Sequence, residues 1–233
     1  MNTSWHTLPR AAFDLETTGR DPQTAQIVTA SVVLVNARNE VLQQHEWLAA
    51  PDVEIPAEAT AIHGVSTEQA RAEGQAPGAV AAELAAVLSG LFEAGIPVLA
   101  FNACYDFTVL DRECARHGLQ APEPMPVIDP YVMDKQADRY RRGKRTLSAL
   151  CAHYGVELEH AHTSAADVMA TLGVAAVLAE RFEELRLPAP ELHRAQVAWC
   201  AGQAESFQEY LRRRDPEAVV DGSWPLRSAP QPA

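Results

Sequence analysis

The feature that most constrains the fold is an acidic pair within an otherwise apolar segment, Phe13-Asp14-Leu15-Glu16-Thr17-Thr18-Gly19. Alternate side chains of a β-strand share a face, so Asp14 and Glu16 would lie side by side. Neighbouring carboxylates that lose hydration need a compensating cation, and no Lys or Arg lies within three residues of the pair. We therefore expect a divalent metal ion, and oxygen-only ligands favour magnesium or manganese.

The same pair also has a simpler interpretation. Asp14 and Glu16 could end a strand that continues into a solvated loop, with Thr17-Thr18-Gly19 as the turn. Taken alone, an Asp-x-Glu pair favours this second interpretation, and the decision between the two rests on other motifs.

Composition excludes some classes of protein. The net charge of −12 argues against a protein that coats nucleic acid, because phosphate binding needs a basic surface, but it allows an enzyme that grips a strand end. No apolar run approaches the ~20 residues of a membrane span, so we expect no membrane partner. No secretory signal is evident. The four cysteines lack C-x-x-C spacing, which is typical of buried thiols in a reducing cytoplasm, the location that we expect.

The order of predicted elements indicates an α/β fold. Strands at residues 9–14, 27–36 and 41–48 open the chain as an antiparallel meander. Further strands at 97–101 and 125–128 alternate with helices, which predicts a mixed five-stranded sheet flanked by helices. The main helices are predicted at 79–93, 105–117, 130 to about 140, 146–154, 164–185 and 191–214.

A proline-rich segment, Leu187-Pro188-Ala189-Pro190, is the best boundary signal. It divides the chain into a domain of residues 9–185 and a C-terminal extension, 186–233, with one helix and a Pro-rich tail. The helix could bind a polymerase or a second copy of the chain, or it could pack on its own domain, which we favour.

Further residues could carry chemistry. Asp106 follows a strand at a helix start, where its simpler role is to complement the helix dipole. Asp167 follows Ser164 at capping-box spacing, so it could only satisfy a backbone amide. His162 alone would be an ordinary loop histidine. Together with the first pair, however, these residues form one ordered pattern: D-x-E on the first strand, D on a central helix, and H-x4-D opening a late helix.

With this pattern the chain resembles the DEDDh 3′–5′ exonuclease family, which includes the proofreading subunit of bacterial DNA polymerase III and ribonuclease T. Residues 13–19, 102–110 and 162–167 match its three motifs. The resemblance covers about residues 9–185 and implies a ribonuclease H-like fold. Supporting matches are Ile62-His63-Gly64-Val65, Val127-Ile128-Asp129 and Leu147-Ser148-Ala149-Leu150-Cys151 with Tyr154-Gly155.

The resemblance also implies roles for individual residues. Four acids of the family hold two divalent cations, Mg2+ or Mn2+, in a cleft of the sheet. By motif, Asp14, Glu16 and Asp167 hold the first ion. Asp14 also reaches the second, which Asp106 supports. His162 is implied to be the general base that accepts a proton from the attacking water.

Substrate contacts are implied less directly. The backbone around Leu15 and Thr17 would face the terminal sugar, with His63 and Phe107 near the terminal nucleotides. A turn-packing histidine and a core phenylalanine remain the alternatives for the last two. The basic run at residues 139–145 would contact backbone phosphates, or form a solvated loop.

The function that the resemblance implies is a metal-dependent 3′–5′ exonuclease. It would release nucleoside 5′-monophosphates from single-stranded or frayed 3′ ends, with DNA favoured, in proofreading or repair. The alternatives are an RNA 3′-end trimming enzyme and a non-catalytic nucleic-acid or polymerase-binding module. No residue is recognisable in the sequence as a contact for a 2′-hydroxyl, so the choice between DNA and RNA as the substrate stays open. The intact acidic positions argue against the non-catalytic module.

Overall fold

A single mixed sheet forms the centre of the computed structural model, which describes residues 3–158 and 163–228. Its strand order is β3-β2-β1-β4-β5. The first three strands pair antiparallel, whereas β4 runs parallel to β1 and β5 parallel to β4. The predicted mixed five-stranded α/β sheet is therefore confirmed. The strands are β1 (Arg10–Thr17), β2 (Ile27–Val35), β3 (Val41–Leu48), β4 (Val98–Leu99) and β5 (Val127–Ile128).

The helices begin and end where local chemistry favours it. Thr146 accepts a hydrogen bond from the Ala149 N–H at the start of α6, and Gly155 ends that helix with a φ of +73°. Across the described ranges, no helix combines the length and apolar character that crossing a bilayer requires. The helices are α1 (Ala57–His63), α2 (Thr67–Glu73), α3 (Pro77–Glu93), α4 (Cys104–Arg116), α5 (Pro130–Ala137), α6 (Leu147–Tyr154), α7 (Ser164–Arg181) and α8 (Ala189–Arg212).

The pleat of β1 sorts its side chains between two hydrophobic layers. Ala11, Phe13 and Leu15 pack in the layer that contains α3 and α4. Ala12 packs in the opposite layer, which contains α7. Because side chains alternate, Asp14 and Glu16 continue the face of Ala12 and point to the α7 side of the sheet. The fold thus directs both acids toward the start of α7.

The C-terminal extension packs against β5. His193 Nδ1 accepts a hydrogen bond from the Val127 N–H at 3.0 Å. The Gln196 side chain accepts from the Asp129 N–H at 2.7 Å and donates to the Val127 carbonyl at 3.1 Å. Trp224 is buried and donates to Asp129 Oδ2 at 3.3 Å. These contacts place α8 on the sheet of its own chain, while the boundary between residues 185 and 186 stays a prediction.

A buried carboxylate binds two arginines of the basic run. Asp134, whose side chain is 0% exposed, accepts from Arg141 at 3.2–3.3 Å, from Arg145, and from the Tyr154 hydroxyl at 2.6 Å. An unpaired carboxylate at this depth would be strongly destabilising, which is why both guanidinium groups turn inward. The hypothesis that the run contacts phosphates is therefore wrong for these two arginines. The exposed members are Arg139, Arg142 and Lys144.

We expect Asp134→Ala to lower the free energy of unfolding by about 3–5 kcal/mol, because it leaves two largely buried guanidinium groups without their counter-ion. Urea denaturation measures the change. Arg142→Gln, at an exposed position of the same run, is the matched control and should change stability by less than about 0.5 kcal/mol. Equal stability of the two variants would contradict a structural role for the Asp134 cluster.

Candidate active site

Three carboxylates meet where β1 faces the start of α7. Asp14 lies opposite Ser31 of β2, and Glu16 lies opposite Thr29. Asp167 lies in the first turn of α7. One ligand oxygen from each of Asp14, Glu16 and Asp167 lies within 4.8 Å of the others, and all three residues are partly buried. Asp14 and Asp167 are more than 150 positions apart in the sequence, and the fold brings them together.

The simpler interpretation of Asp167 as a capping-box partner of Ser164 does not match the structure. The N-cap of α7 is Thr163, whose side chain accepts from the Ala166 N–H, and Ser164 is already the first helical residue. The Ser164 hydroxyl instead accepts a hydrogen bond from Thr29 of β2 at 3.3 Å. The cap of α7 is therefore supplied by Thr163.

Asp106 adds a fourth carboxylate from the first turn of α4. It is buried, and its Oδ1 accepts a hydrogen bond from the Leu15 N–H at 3.1 Å. Leu15 lies between Asp14 and Glu16 on β1, so this bond ties the helix to the strand beside the acidic pair. Burial raises the pKa of Asp106 well above its usual range, against the opposing effect of its backbone hydrogen bonds.

The electrostatics of the cluster favour a bound cation. Burial raises the pKa of Asp14 well above its usual range, and the carboxylates of Asp106, Asp167 and Glu16 raise it further. Burial and then Asp167 raise the pKa of Glu16 to about 7. The charged neighbours that shift the pKa of Asp14 are thus all acids, and a divalent ion would relieve their repulsion. The all-oxygen donor set fits a hard cation such as Mg2+ or Mn2+.

A cleft of about 680 Å³ opens beside the carboxylates. Leu15, Glu16 and Thr17 line it from β1. The family resemblance implies that the backbone around Leu15 and Thr17 faces the terminal sugar. Tyr105 lines it from α4, and its hydroxyl is hydrogen-bonded to the Thr17 hydroxyl and to the Gly19 carbonyl. Burial raises the pKa of Tyr105 to about 12, so the phenol stays protonated at neutral pH.

His63 lies in the wall of the same cleft. Its Nδ1 accepts a hydrogen bond from the Val65 N–H at 3.2 Å, which stabilises the turn after α1. Its Nε2 is buried and has no hydrogen-bond partner among the described residues. Burial lowers the pKa of His63, and the Thr17 backbone opposes that shift. His63 therefore packs in the turn, as its alternative role required, and it also borders the cleft.

Phe107 lies in the hydrophobic core. It is 2% exposed and its ring centre is 5.4 Å from that of Phe13 and 6.2 Å from that of Phe92. The core-phenylalanine alternative thus describes its position. The aromatic side chain that reaches the cleft is Tyr105, which sequence reasoning had assigned to the helix without a role. Tyr105 and Phe107 are two residues apart on a helix and so point to different faces. This spacing was the signal that only one of the two rings could face the core.

The position of His162 is not part of this geometry, because His162 lies outside the described residues.

Comparison with known proteins finds a match to a family model. The sequence model of a family described as exonuclease, and named after ribonuclease T, matches residues 11–175. No curated protein matches the sequence.

Solved structures of exonuclease I share the fold, at identities that show the fold alone. One, described in relation to processivity, is 20% identical with a TM-score of 0.65. A complex of the Escherichia coli enzyme with a dT13 oligonucleotide is 20% identical with a TM-score of 0.64. In both, the match covers 76% of this chain and 42% of the other. A complex of exonuclease I with SSB-Ct is 19% identical with a TM-score of 0.63, covering 77% and 42%. This chain thus spans less than half the length of these proteins. The shared fold confirms the predicted ribonuclease H-like fold class.

The raised pKa values predict how the metal-free protein responds to pH. Glu16 has a folded pKa near 7 against an ordinary value of 4.5, so the folded state binds the proton more tightly. Its contribution to stability is present below about pH 4.5 and is lost as pH rises through 7. In EDTA, we expect the ionisation of Glu16 to lower the melting temperature between pH 5 and pH 8. Adding Mn2+ at pH 8 should raise the melting temperature again.

Asp14→Asn provides the matched test of that electrostatic cause. At pH 8 in EDTA it should melt about 2–4 °C above the wild type, roughly 1 kcal/mol, because one of the repelling charges is gone. It should also lose most of the stabilisation by Mn2+. Asp52→Asn, at an exposed position, is the control and should follow the wild type. A variant Asp14→Asn that melts below the wild type in EDTA would contradict the explanation.

Proposed function

Because the chain belongs to the DEDDh 3′–5′ exonuclease family, we propose that it is a divalent-metal-dependent nuclease that shortens a nucleic acid from its 3′ end. The observation that carries this proposal is the convergence of Asp14, Glu16 and Asp167, with Asp106 hydrogen-bonded to the strand between the first two. A cluster of this kind lowers the stability of the apo-protein, so its presence at a cleft favours a role in catalysis over a role in folding.

The residues fit two divalent ions, which we take to be Mg2+ or Mn2+. Asp14, Glu16 and Asp167 would hold one ion, and Asp14 with Asp106 would hold the other. When bound, such ions supply the positive charge that stabilises the entering and the leaving oxygen in a displacement at phosphorus. Burial and then the neighbouring carboxylates raise the pKa values of Asp14 and Glu16 in the apo-protein. These carboxylates support this assignment, because a divalent ion would relieve their repulsion and release the protons as it binds.

In the reaction, water attacks the phosphorus of the last phosphodiester bond and the 3′-oxygen of the preceding nucleotide leaves. The products are a nucleoside 5′-monophosphate and a strand one nucleotide shorter. His162 accepts the proton of the attacking water, and the leaving oxygen takes its proton from solvent. The cleft beside Glu16 receives the terminal sugar, with Leu15 and Thr17 along one wall and His63 and Tyr105 along the others.

DNA is the polymer that we favour. Support comes from exonuclease I, whose solved complexes hold a dT13 oligonucleotide and single-stranded DNA. RNA remains the alternative, and a panel of single-stranded DNA, duplex DNA, mismatched primer and RNA of equal length decides between them. A polymerase-bound role has less support, because α8 packs on β5 of its own chain. A cytoplasmic location is part of the proposal, since all four cysteines are free thiols.

The activity test uses a 5′-labelled oligonucleotide incubated with Mg2+ or Mn2+, or with EDTA. We expect a ladder of products shortened from the 3′ end that requires the metal. Asp14→Ala should reduce the rate at least about 1,000-fold, because it removes a ligand of both ions. Asp52→Ala, at an exposed position, should retain full activity. A ladder that persists unchanged in Asp14→Ala would point to a contaminating nuclease.

His162 is tested against a neighbouring histidine. We expect His162→Ala to lower kcat by about 100- to 10,000-fold with little change in the binding of metal or strand, because a general base acts in the chemical step. His160→Ala is the matched control, since His160 lies two positions away but outside the H-x4-D motif. Equal turnover of the wild type and His162→Ala would remove His162 from the mechanism.

A further inference from the structure

A basic and aromatic groove of about 700 Å³ lies between α5 and α8. Its cationic lining residues are Lys135, Arg139 and Arg145, and no Asp or Glu of the described chain lines it. The whole chain carries a net charge of −12, so this groove stands apart from the acidic average of the molecule. Its charge is complementary to an anionic ligand.

Two aromatic side chains on α8 are partly exposed in this groove, and the Arg213 guanidinium lies 6.0 Å from the centre of one of the rings, that of Tyr210. Phe207 is 52% exposed and Tyr210 is 54% exposed. Their rings stack nearly parallel, with centres 6.4 Å apart and an angle of 14° between planes. Packing within the chain leaves half of each side chain in water. A parallel pair of accessible rings is suited to flat, unsaturated rings of a ligand.

The cations of the groove differ in how far they are already neutralised. Arg145 is paired with Asp134, so its charge is largely compensated. Lys135 places its Nζ 4.9 Å above the Tyr131 ring and makes no ion pair with a described residue. Arg139 is exposed and likewise makes no ion pair with a described residue. Lys135 and Arg139 therefore supply the charge that a ligand could use.

The contacts of α8 place the groove at the same end of the sheet as the carboxylates. Along α8, His193 contacts Val127, Gln196 contacts Asp129, and Gln203 donates to the Val132 carbonyl of α5 at 3.2 Å. The helix thus runs in the direction of β5, and its second half extends past the carboxyl end of that strand. Because β1, β4 and β5 are parallel, the acids at the carboxyl end of β1 lie at this edge as well.

We propose that the groove binds the single-stranded stretch of nucleic acid that precedes the 3′ end held at the carboxylates. Bases stack on Phe207 and Tyr210, while phosphates contact Lys135 and Arg139. This inference rests on the proposed function for the identity of the ligand. The matched family segment ends at residue 175, so it contains Lys135 and Arg139 but not the α8 wall of the groove with Phe207 and Tyr210, because α8 begins at Ala189.

The test measures binding in EDTA, where no strand is cut, by fluorescence anisotropy of a 5′-labelled oligodeoxythymidine of ~20 nucleotides. Replacing both rings, Phe207→Ala with Tyr210→Ala, should raise the Kd about 10-fold or more. Replacing both free cations, Lys135→Gln with Arg139→Gln, should reduce the slope of log K against log salt by about 1.4. The replaced side chains are exposed or partly exposed, and circular dichroism verifies that the variants fold.

Matched controls lie at the far side of the sheet. Val41→Ala with Leu42→Ala removes exposed apolar surface from β3, and Arg71→Gln removes an exposed cation from α2. Neither should change the Kd or the salt slope. With metal present, the groove variants should raise the KM for the long strand and leave kcat unchanged. Hydrolysis of a ~4-nucleotide substrate, which is too short to reach the groove, should be as fast as in the wild type.

Each outcome decides one hypothesis. An unchanged Kd in both groove variants overturns this inference and leaves the proposed exonuclease intact if the wild type still shortens strands. Groove-dependent binding by a protein that cuts no strand supports the groove and overturns the proposed function instead. A labelled peptide of Asp and Phe residues is the competing probe. If the groove variants lose the peptide and keep the oligonucleotide, the groove is a peptide site and the inference is wrong.

Discussion

Repulsion among four partly or fully buried carboxylates is the constraint on which the rest of this structure depends. Three separate elements hold the acids together: the pleat of β1 supplies Asp14 and Glu16, α4 supplies Asp106, and α7 supplies Asp167. The last two lie in the first turns of their helices, where the helix dipole partly offsets negative charge. Hydrophobic layers on both faces of the sheet supply the stability that keeps the cluster assembled.

Local patterns allowed most of the sheet and one half of the site to be predicted. The alternation in β1 correctly placed Asp14 and Glu16 on one face, because side-chain direction in a strand is a local property. Asp106 and Asp167 each allowed a simpler role at a helix start, and only the ordered family pattern assigned them to the site. The spacing of Ser164 and Asp167 offered a capping box as the simpler alternative, yet Thr163 caps α7, since neighbouring hydroxyl residues offer the same chemistry. Strands β4 and β5 are shorter than predicted, because pairing covers only two residues of each apolar run.

Tertiary partners explain what sequence reasoning could not reach. Arg141 and Arg145 were interpreted as phosphate contacts because composition reveals charge but not the buried Asp134 that binds them. Phe107 and Tyr105 occupy one motif, and only the rotation of α4 against β1 decides that the first is core and the second borders the cleft.

Contacts with residues distant in the sequence also determine what Asp129 does in the structure. Its carboxylate accepts from the N–H groups of Asn102 and Ala103 at 2.9 Å, directly before α4, and so fixes the start of the helix that carries Asp106. The same residue is held by Gln196 and Trp224 from beyond the matched segment. Those two contacts, with His193, satisfy polar groups at the outermost strand of the sheet. A shortened chain ending near residue 185 would present β5 as an open template, and we expect such a fragment to self-associate by strand addition.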